Sequence, residues 1–496
     1  MTGALGALLD GDDADTLVVD GDRSVPRGDV RAVATAVRDA LVASGVTGTA
    51  VGVLLPNDER AIAAWFAIWD AGAAFVPLNP RLPTAELQRV VDDVEVARVV
   101  TTAALAPSLD GSVDVVAGTD LVVVSRPETV ARTVGPDDAI VQLTSGTTGA
   151  PKAVPLRTAT ITQLLDTVIG ALRSGRTGEA ARMPNLVPLS LATWGGIYQV
   201  LFAFRLGVPV VVMDHFEPGE FARLVARHEI RSSVLPPAAL VMLMRDPSIT
   251  TLAPLRYVRS VAAPLSPAHA RAFHERFGVA VLNGYGQTEI GGEVIGWTAA
   301  DWKQWGVEKL GAIGRPHAGI GARVRRDDGA LAGVDERGEL ELRGTTPLPA
   351  DDPALAGRVT DDGWLRTGDL GRIDPDGFVW IDGRVSSMIN RGGLKVFPDE
   401  VEELLRTCPG VADVAVAGVP DDRLGEVPWA FVVAGGPSDA LDTEVLAARA
   451  RDLLVAYKVP AGFTVVDGLP RNEMGKVLRH ELVPLATPDA GDPAIS

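Results

Sequence analysis

The reading of this chain turns on Leu143-Thr144-Ser145-Gly146-Thr147-Thr148-Gly149-Ala150-Pro151-Lys152. Gly146 and Gly149 let the backbone turn sharply and present its N–H groups. Thr144, Ser145, Thr147 and Thr148 add hydroxyl donors, and Lys152 adds a cation. Many short hydrogen bonds and one positive charge are what a triphosphate needs. The spacing is not that of the Gly-x4-Gly-Lys-Ser/Thr loop, because the second glycine follows after only two residues. A lone Ser/Thr/Gly loop is more often a plain polar turn, so its surroundings must decide.

Upstream, Ala139–Leu143 reads as a strand running into the loop. Downstream, Ile161, Leu164, Leu165, Val168, Ile169 and Leu172 recur at helical spacing. The same alternation fills the first half of the chain. Val30, Val33, Val37 and Leu41 mark a helix, Thr49–Leu55 a buried strand, Ile62–Asp70 a helix and Ala73–Pro77 a strand. Arg98–Thr101, Val113–Val116, Leu201–Met213 and Arg231–Pro237 read as further strands. Such alternation predicts α/β layering. Between Gly338 and Ile381 the pattern changes to strands with acidic glycine turns, such as Asp374-Pro375-Asp376-Gly377, which predict hairpins. From about Asp399 a small α+β unit follows. The expected architecture is a large N-terminal α/β domain with a β-rich subdomain (1–383), a junction (384–388) and a small mobile C-terminal domain (389–496).

Composition narrows the function. At 496 residues the chain exceeds one ordinary core, and its 47% hydrophobic content is that of a globular protein. No apolar run reaches the roughly 18–20 residues of a membrane span. The N-terminus, Met1–Asp12, lacks the basic region of a signal peptide and meets acidic residues early. The single cysteine, Cys408, excludes an internal disulfide framework and a multi-thiolate metal site. These features favour a cytoplasmic protein. The net charge of −18 argues against nucleic-acid binding, which leans on Lys and Arg. A single nucleotide needs only local donors.

Four further segments stand in order with the loop. They are Asn283-Gly284-Tyr285-Gly286-Gln287-Thr288-Glu289, Arg366-Thr367-Gly368-Asp369-Leu370, Gly383-Arg384 with Arg391-Gly392-Gly393-Leu394-Lys395, and Pro470-Arg471-Asn472-Glu473-Met474-Gly475-Lys476. With the loop, they resemble the motifs of the adenylate-forming (AMP-binding) superfamily: acyl- and aryl-CoA synthetases, peptide-synthetase adenylation domains and luciferases. The resemblance covers about Thr49 to Leu482. It implies an acid–thiol ligase using ATP, Mg²⁺ and coenzyme A on a small-molecule carboxylic acid.

The resemblance also implies the roles of residues. Thr144, Ser145, Gly146, Thr147, Thr148, Gly149 and Lys152 would hold the β- and γ-phosphates. Ala263, Asn283, Gly284, Tyr285 and Gly286 would border the adenine, with Tyr285 stacked on it. Thr288 would contact the α-phosphate and Glu289 would bind Mg²⁺. Asp369 would accept the ribose hydroxyls, and Arg384 would contact ribose or phosphate. Lys476 would be the catalytic cation, stabilising charge that spreads as the carboxylate attacks the α-phosphorus. Ser386 would be the hinge between two docked orientations. Gly392 and Gly393 would line the path of the thiol, and Leu191, Trp194, Val261 and Gly286 the acyl pocket.

This chain departs from the family pattern at three places. The hinge is Ser386-Ser387, where a charged residue is usual. Val261 and Ala262 stand where two glycines are usual, which narrows the acyl pocket. In Pro188-Leu189-Ser190-Leu191 the last two positions lack the usual aromatic and histidine, and Trp194 and Tyr198 follow as candidate replacements. Gly286 leaves the pocket open beyond two carbons, where acetate-type enzymes place a large aromatic. Together these favour an aromatic or medium-length acid. No aspartate lies near Val234–Met242 to hold an α-ammonium; Asp246 lies beyond.

Two rival readings stand beside this one: loading of an acyl carrier protein or another nucleophile, and a nucleotide-binding protein without catalysis. A homodimer is left open. The six histidines show no paired metal spacing, although His269 and His274 lie close together, and no Gly-x-Ser-x-Gly elbow is present.

Overall fold

The structure, a computed structural model, describes residues 4–145, 151–174, 183–261, 263–287, 290, 292–344, 355–436, 441–471 and 477–486. The chain divides into two compact units. One comprises Met1–Leu235, Arg245–Val258 and Gly286–Gly292, the other Pro236–Met244, Arg259–Tyr285 and Glu293–Ser496.

The first unit is built on a seven-stranded sheet. Its order is Ser112–Val115, Leu121–Ser125, Arg98–Thr102, Ala50–Leu54, Ala74–Leu78, Asp138–Ser145 and Pro151–Arg157. The central strands pair in parallel and the outer ones antiparallel. Every residue of Ala50–Leu54 and Ala74–Leu78 is buried, as expected of parallel strands covered on both faces. The helix Glu59–Asp70 is capped by Asp58, whose carboxylate accepts from Arg60 N. Ala61 to Ile68 are all buried, so the helix lies inside the core rather than on it. Trp65 stacks on Phe75 at 5.3 Å between ring centroids.

The phosphate-type loop has an unexpected setting. The strand Asp138–Ser145 enters it as anticipated, but an antiparallel strand, Pro151–Arg157, leaves it before the helix Thr158–Ser174 begins. The loop therefore joins the arms of a hairpin, with Thr144 opposite Lys152.

One expectation fails. Leu201–Met213 is not a strand throughout: Trp194–Leu206 is a helix, and only Val210–Val212 is extended. The helix buries residues on several sides, from Trp194 to Phe204, and an apolar segment of that kind has no alternation to separate it from a strand. Thr193 caps its start, and Gly207, at φ 73°, closes its end in the left-handed conformation.

In a further sheet, Tyr257–Ser260, Ala280–Gln287, Gly292–Gly296 and Arg315–Pro316 lie side by side in that order. A four-stranded antiparallel sheet follows: Gly321–Arg325, Gly338–Arg343, Leu365–Ile373 and Val379–Arg384. This is the hairpin region foreseen from the acidic turns. The buried carboxylate of Glu341 is held by Arg323 Nε at 2.5 Å and Arg325 Nε at 2.7 Å.

The last part of the chain has its own sheet, ordered Leu394–Val396, Ile389–Arg391, Gly425–Ala434 and Val411–Asp421, with Gly462–Val465 parallel to Gly425–Ala434. The helix Pro398–Arg406 buries Val401 and Leu405 in its core. Val385–Ser387, a single 3-10 turn, connects the two sheets.

Candidate active site

The best-defined part of the site is a hairpin. Leu365–Ile373 turns through Asp374–Gly377 into Val379–Arg384. Asp374 Oδ1 fixes the turn by accepting from Asp376 N at 3.0 Å and Phe378 N at 2.9 Å. The register sets Asp369 opposite Arg384. Arg384 Nε donates to Asp369 Oδ1 at 2.5 Å, and the hydroxyl of Tyr285 donates to Oδ2. Asp369 N donates to Thr367 Oγ1 at 3.0 Å, and Thr367 in turn donates to Leu340 O at 2.8 Å.

Asp369 is thus a buried, oriented carboxylate between a cation and a phenol. Burial first, and then the Asp369 charge, pushes the Tyr285 hydroxyl well above its ordinary pKa, so it stays a donor. A carboxylate offers about four acceptor positions, enough to serve protein donors and a vicinal diol together. A diol acceptor beside an aromatic ring fits a nucleoside.

Tyr285 stands on the strand Ala280–Gln287 with Asn283, Gly284 and Gly286. Asn283 is buried and donates to Ala312 O at 3.4 Å, while Asn283 O accepts from Trp297 N at 3.0 Å. Beside this strand lies a charged cluster that the sequence reading missed. Arg259 Nη1 is paired with Glu293 Oε1, which also accepts from His317 Nε2 at 2.9 Å. Arg259 Nη2 donates to Trp297 O at 2.9 Å. Two glycines make room for it. A Cβ on Gly284 would stand 2.5 Å from Glu293 Oε2, and one on Gly296 would stand 2.8 Å from Arg259 Nη1.

Leu191 and Trp194 both belong to the core of the first unit. Leu191 N donates to Asn57 Oδ1 at 2.8 Å, and Asn57 Nδ2 donates to Met213 O at 3.0 Å. Asn57, just beyond the strand Ala50–Leu54, pins the segment preceding the Trp194 helix. Trp194 and Tyr198 lie one helical turn apart with ring centroids at 5.7 Å, and a Cβ on Gly292 would lie 3.3 Å from Trp194 Nε1. Asp246 is engaged by Ser248, which bonds it through N and Oγ.

Val261 follows directly on the strand Tyr257–Ser260, and Ala263 stands in the bend beyond it. Ser386 lies in the 3-10 turn after Arg384. Gly392 and Gly393, at φ 60° and 92°, form a two-residue hairpin turn between Ile389–Arg391 and Leu394–Val396. Positive φ at both positions favours glycine. The turn itself accounts for the pair.

Gly146, Thr147, Thr148, Gly149, Ala262, Thr288, Glu289 and Lys476 lie outside the described residues, as do the side chains of Thr144, Ser145 and Lys152. Among the described residues no group of three His, Cys, Asp or Glu side chains is arranged to hold a metal ion. No helix among them is long and apolar enough to cross a membrane.

Comparison with known proteins agrees with this geometry. Residues 11–349 match the AMP-binding enzyme family, and residues 400–476 match the AMP-binding enzyme C-terminal domain. The chain belongs to this adenylate-forming family, in its acyl- and aryl-CoA synthetase branch. It is 32% identical over 460 residues to the sulfoacetate–CoA ligase of Cupriavidus necator, covering 88% of this chain and 87% of that one. It superimposes on o-succinylbenzoate CoA synthetase of Bacillus subtilis in complex with its acyl-adenylate intermediate, with a TM-score of 0.80, 26% identity and 96% of each chain covered. The same enzyme in complex with ATP and magnesium gives a TM-score of 0.80 at 25% identity, covering 96% of this chain and 98% of that one. An amide bond synthetase of Marinactinospora thermotolerans matches with a TM-score of 0.80, 26% identity and coverage of 97% and 99%.

Proposed function

We propose that this chain joins a carboxylic acid to coenzyme A in two steps. In the first, a carboxylate oxygen attacks the α-phosphorus of ATP and pyrophosphate leaves, giving an acyl-adenylate. In the second, the thiol sulfur attacks the acyl carbonyl, its proton passes to solvent, and AMP leaves. The observation that carries the reading is the Asp369 carboxylate held between Arg384 and the Tyr285 hydroxyl, at the positions where the family motifs expect a nucleoside.

In this reading Asp369 accepts the ribose diol, the Tyr285 ring covers the adenine, and Asn283, Gly284, Gly286 and Ala263 border it. The loop from Thr144 to Lys152 holds the phosphates, with Thr288 on the α-phosphate. Glu289 holds Mg²⁺, which when bound neutralises phosphate charge. Lys476 stabilises the charge spreading at the α-phosphorus. The chain is organised as 1–383, a hinge at 384–388 around Ser386, and 389–496, which swings so that Gly392 and Gly393 face the incoming thiol. Leu191, Trp194, Val261 and Gly286 wall the acyl pocket, and they suit an aromatic or medium-length acid.

The test is acid-dependent ATP–pyrophosphate exchange across aryl, medium-chain, branched and amino acids, followed by AMP release with and without coenzyme A. Exchange plus coenzyme A-dependent AMP release supports a CoA ligase. The likeness to an amide bond synthetase makes an amine the second acceptor to assay. Exchange without coenzyme A-dependent turnover moves the acceptor to an amine or a carrier protein. Exchange with no acid at all refutes acyl activation.

A further inference from the structure

The Arg259–Glu293–His317 cluster sits beside the strand that carries Tyr285. Side chains alternate along a strand, so Gly284 and Gly286 share the face opposite Asn283 and Tyr285. Glu293 lies on the glycine face, with Oε2 occupying the space of a Gly284 side chain. Gly286 is a proposed wall of the acyl pocket. Val261, another, stands two residues after Arg259. A pocket for a plain hydrocarbon tail has no use for a guanidinium, a carboxylate and an imidazole at its border, since each costs desolvation.

The bonds within the cluster say what it can read. Glu293 Oε1 takes both Arg259 Nη1 and His317 Nε2. Among the described residues no donor reaches Oε2. The guanidinium and the carboxylate compensate each other, so neither an anionic nor a cationic end group is favoured. Oε2 is the acceptor oxygen that the cluster holds oriented for a ligand.

We propose that Glu293, oriented by Arg259 and His317, is a specificity residue that accepts a hydrogen bond from the far end of the acid. The preferred substrates then carry a neutral donor there, a hydroxyl or ring N–H, rather than a bare hydrocarbon end or a charged group. This rests on the acyl-activating reading above.

Matched acids test it on the unaltered enzyme by pyrophosphate exchange: 3-(4-hydroxyphenyl)propanoate against 3-phenylpropanoate, 8-hydroxyoctanoate against octanoate, and sulfoacetate as a charged end. A site that hydrogen-bonds a substrate hydroxyl penalises the analogue lacking it, so kcat/KM favours the hydroxylated member of at least one pair by about tenfold or more. The double variant Arg259→Leu/Glu293→Leu, which leaves neither charge unpaired, abolishes that ratio. Glu293→Gln, which keeps an acceptor oxygen, retains part of it. Equal use of both members, preference for the hydrocarbon or for sulfoacetate, or an unchanged ratio in the double variant overturns the inference and leaves acyl activation standing. Exchange with none of the five acids overturns the inference, and acyl activation is then decided by the wider acid panel.

Discussion

Replacing Tyr285 by phenylalanine and by alanine separates two jobs proposed for one side chain. The hydroxyl donates to Asp369, a contact within the protein, whereas the ring face is assigned to adenine. Tyr285→Phe keeps the ring and removes the hydroxyl with its hydrogen bond to Asp369. A bond to a carboxylate contributes about 1.5–3 kcal/mol, and Asp369 keeps Arg384 as partner, so a loss near the lower end, about 1.5 kcal/mol, is expected in stability. KM for ATP should then change less than about threefold, because the ring remains. Tyr285→Ala removes the ring as well. Stacking on an aromatic is worth about 1–3 kcal/mol per base, which is about 5- to 150-fold in KM. The assay is the initial rate of acid-dependent pyrophosphate exchange against ATP concentration, with thermal unfolding in parallel. The phenol is held above its ordinary pKa, so the contrast should persist between about pH 7 and 9. Equal increases in KM for both variants would show that the hydroxyl, not the ring, recognises the nucleotide. An unchanged KM in Tyr285→Ala would remove Tyr285 from the nucleotide site.

Three further outcomes are expected. Lys476→Ala should slow adenylation by at least about 10²–10³-fold, the usual order for losing one such charge-stabilising group, while thioester formation from supplied acyl-adenylate survives; near-normal pyrophosphate exchange would sink its assignment. Glu341→Gln breaks a buried carboxylate from Arg323 and Arg325 and should cost about 3 kcal/mol in chemical denaturation, without changing the apparent KM for ATP at a temperature where the variant is folded; a change under 1 kcal/mol, as for an exposed pair, would refute its structural role. The His228 imidazole is pushed below its ordinary pKa, first by burial and then by Arg227 and Arg223. The unfolded chain therefore binds the proton more readily, so stability should fall as pH drops from about 6.5 toward the folded-state value, and then level off. His228→Gln should flatten that part of the stability–pH curve; an unaltered slope would refute the assignment.

What the sequence made legible depended on how far apart the cooperating residues lie. The Asp369 motif could be read locally because it is contiguous and bounded by acidic glycine turns, and the turn at Asp374–Gly377 folds Arg384 back onto Asp369. The helix Trp194–Leu206 was partly misread because an apolar segment buried on several sides carries no periodicity, although Gly207 marked its end. Gly392 and Gly393 are assigned to a ligand path, and two consecutive positive φ angles in a two-residue turn also favour glycine there on backbone grounds. The Arg259–Glu293–His317 cluster could not be seen. Its members lie 34 and 24 positions apart, and each, taken singly, reads as a surface charge. The only local trace was negative: glycines at 284 and 296, where a strand would ordinarily take a side chain with a Cβ. A glycine inside a strand that no turn or bulge explains marks where something else approaches the backbone, and here that is the carboxylate and guanidinium proposed to read the substrate.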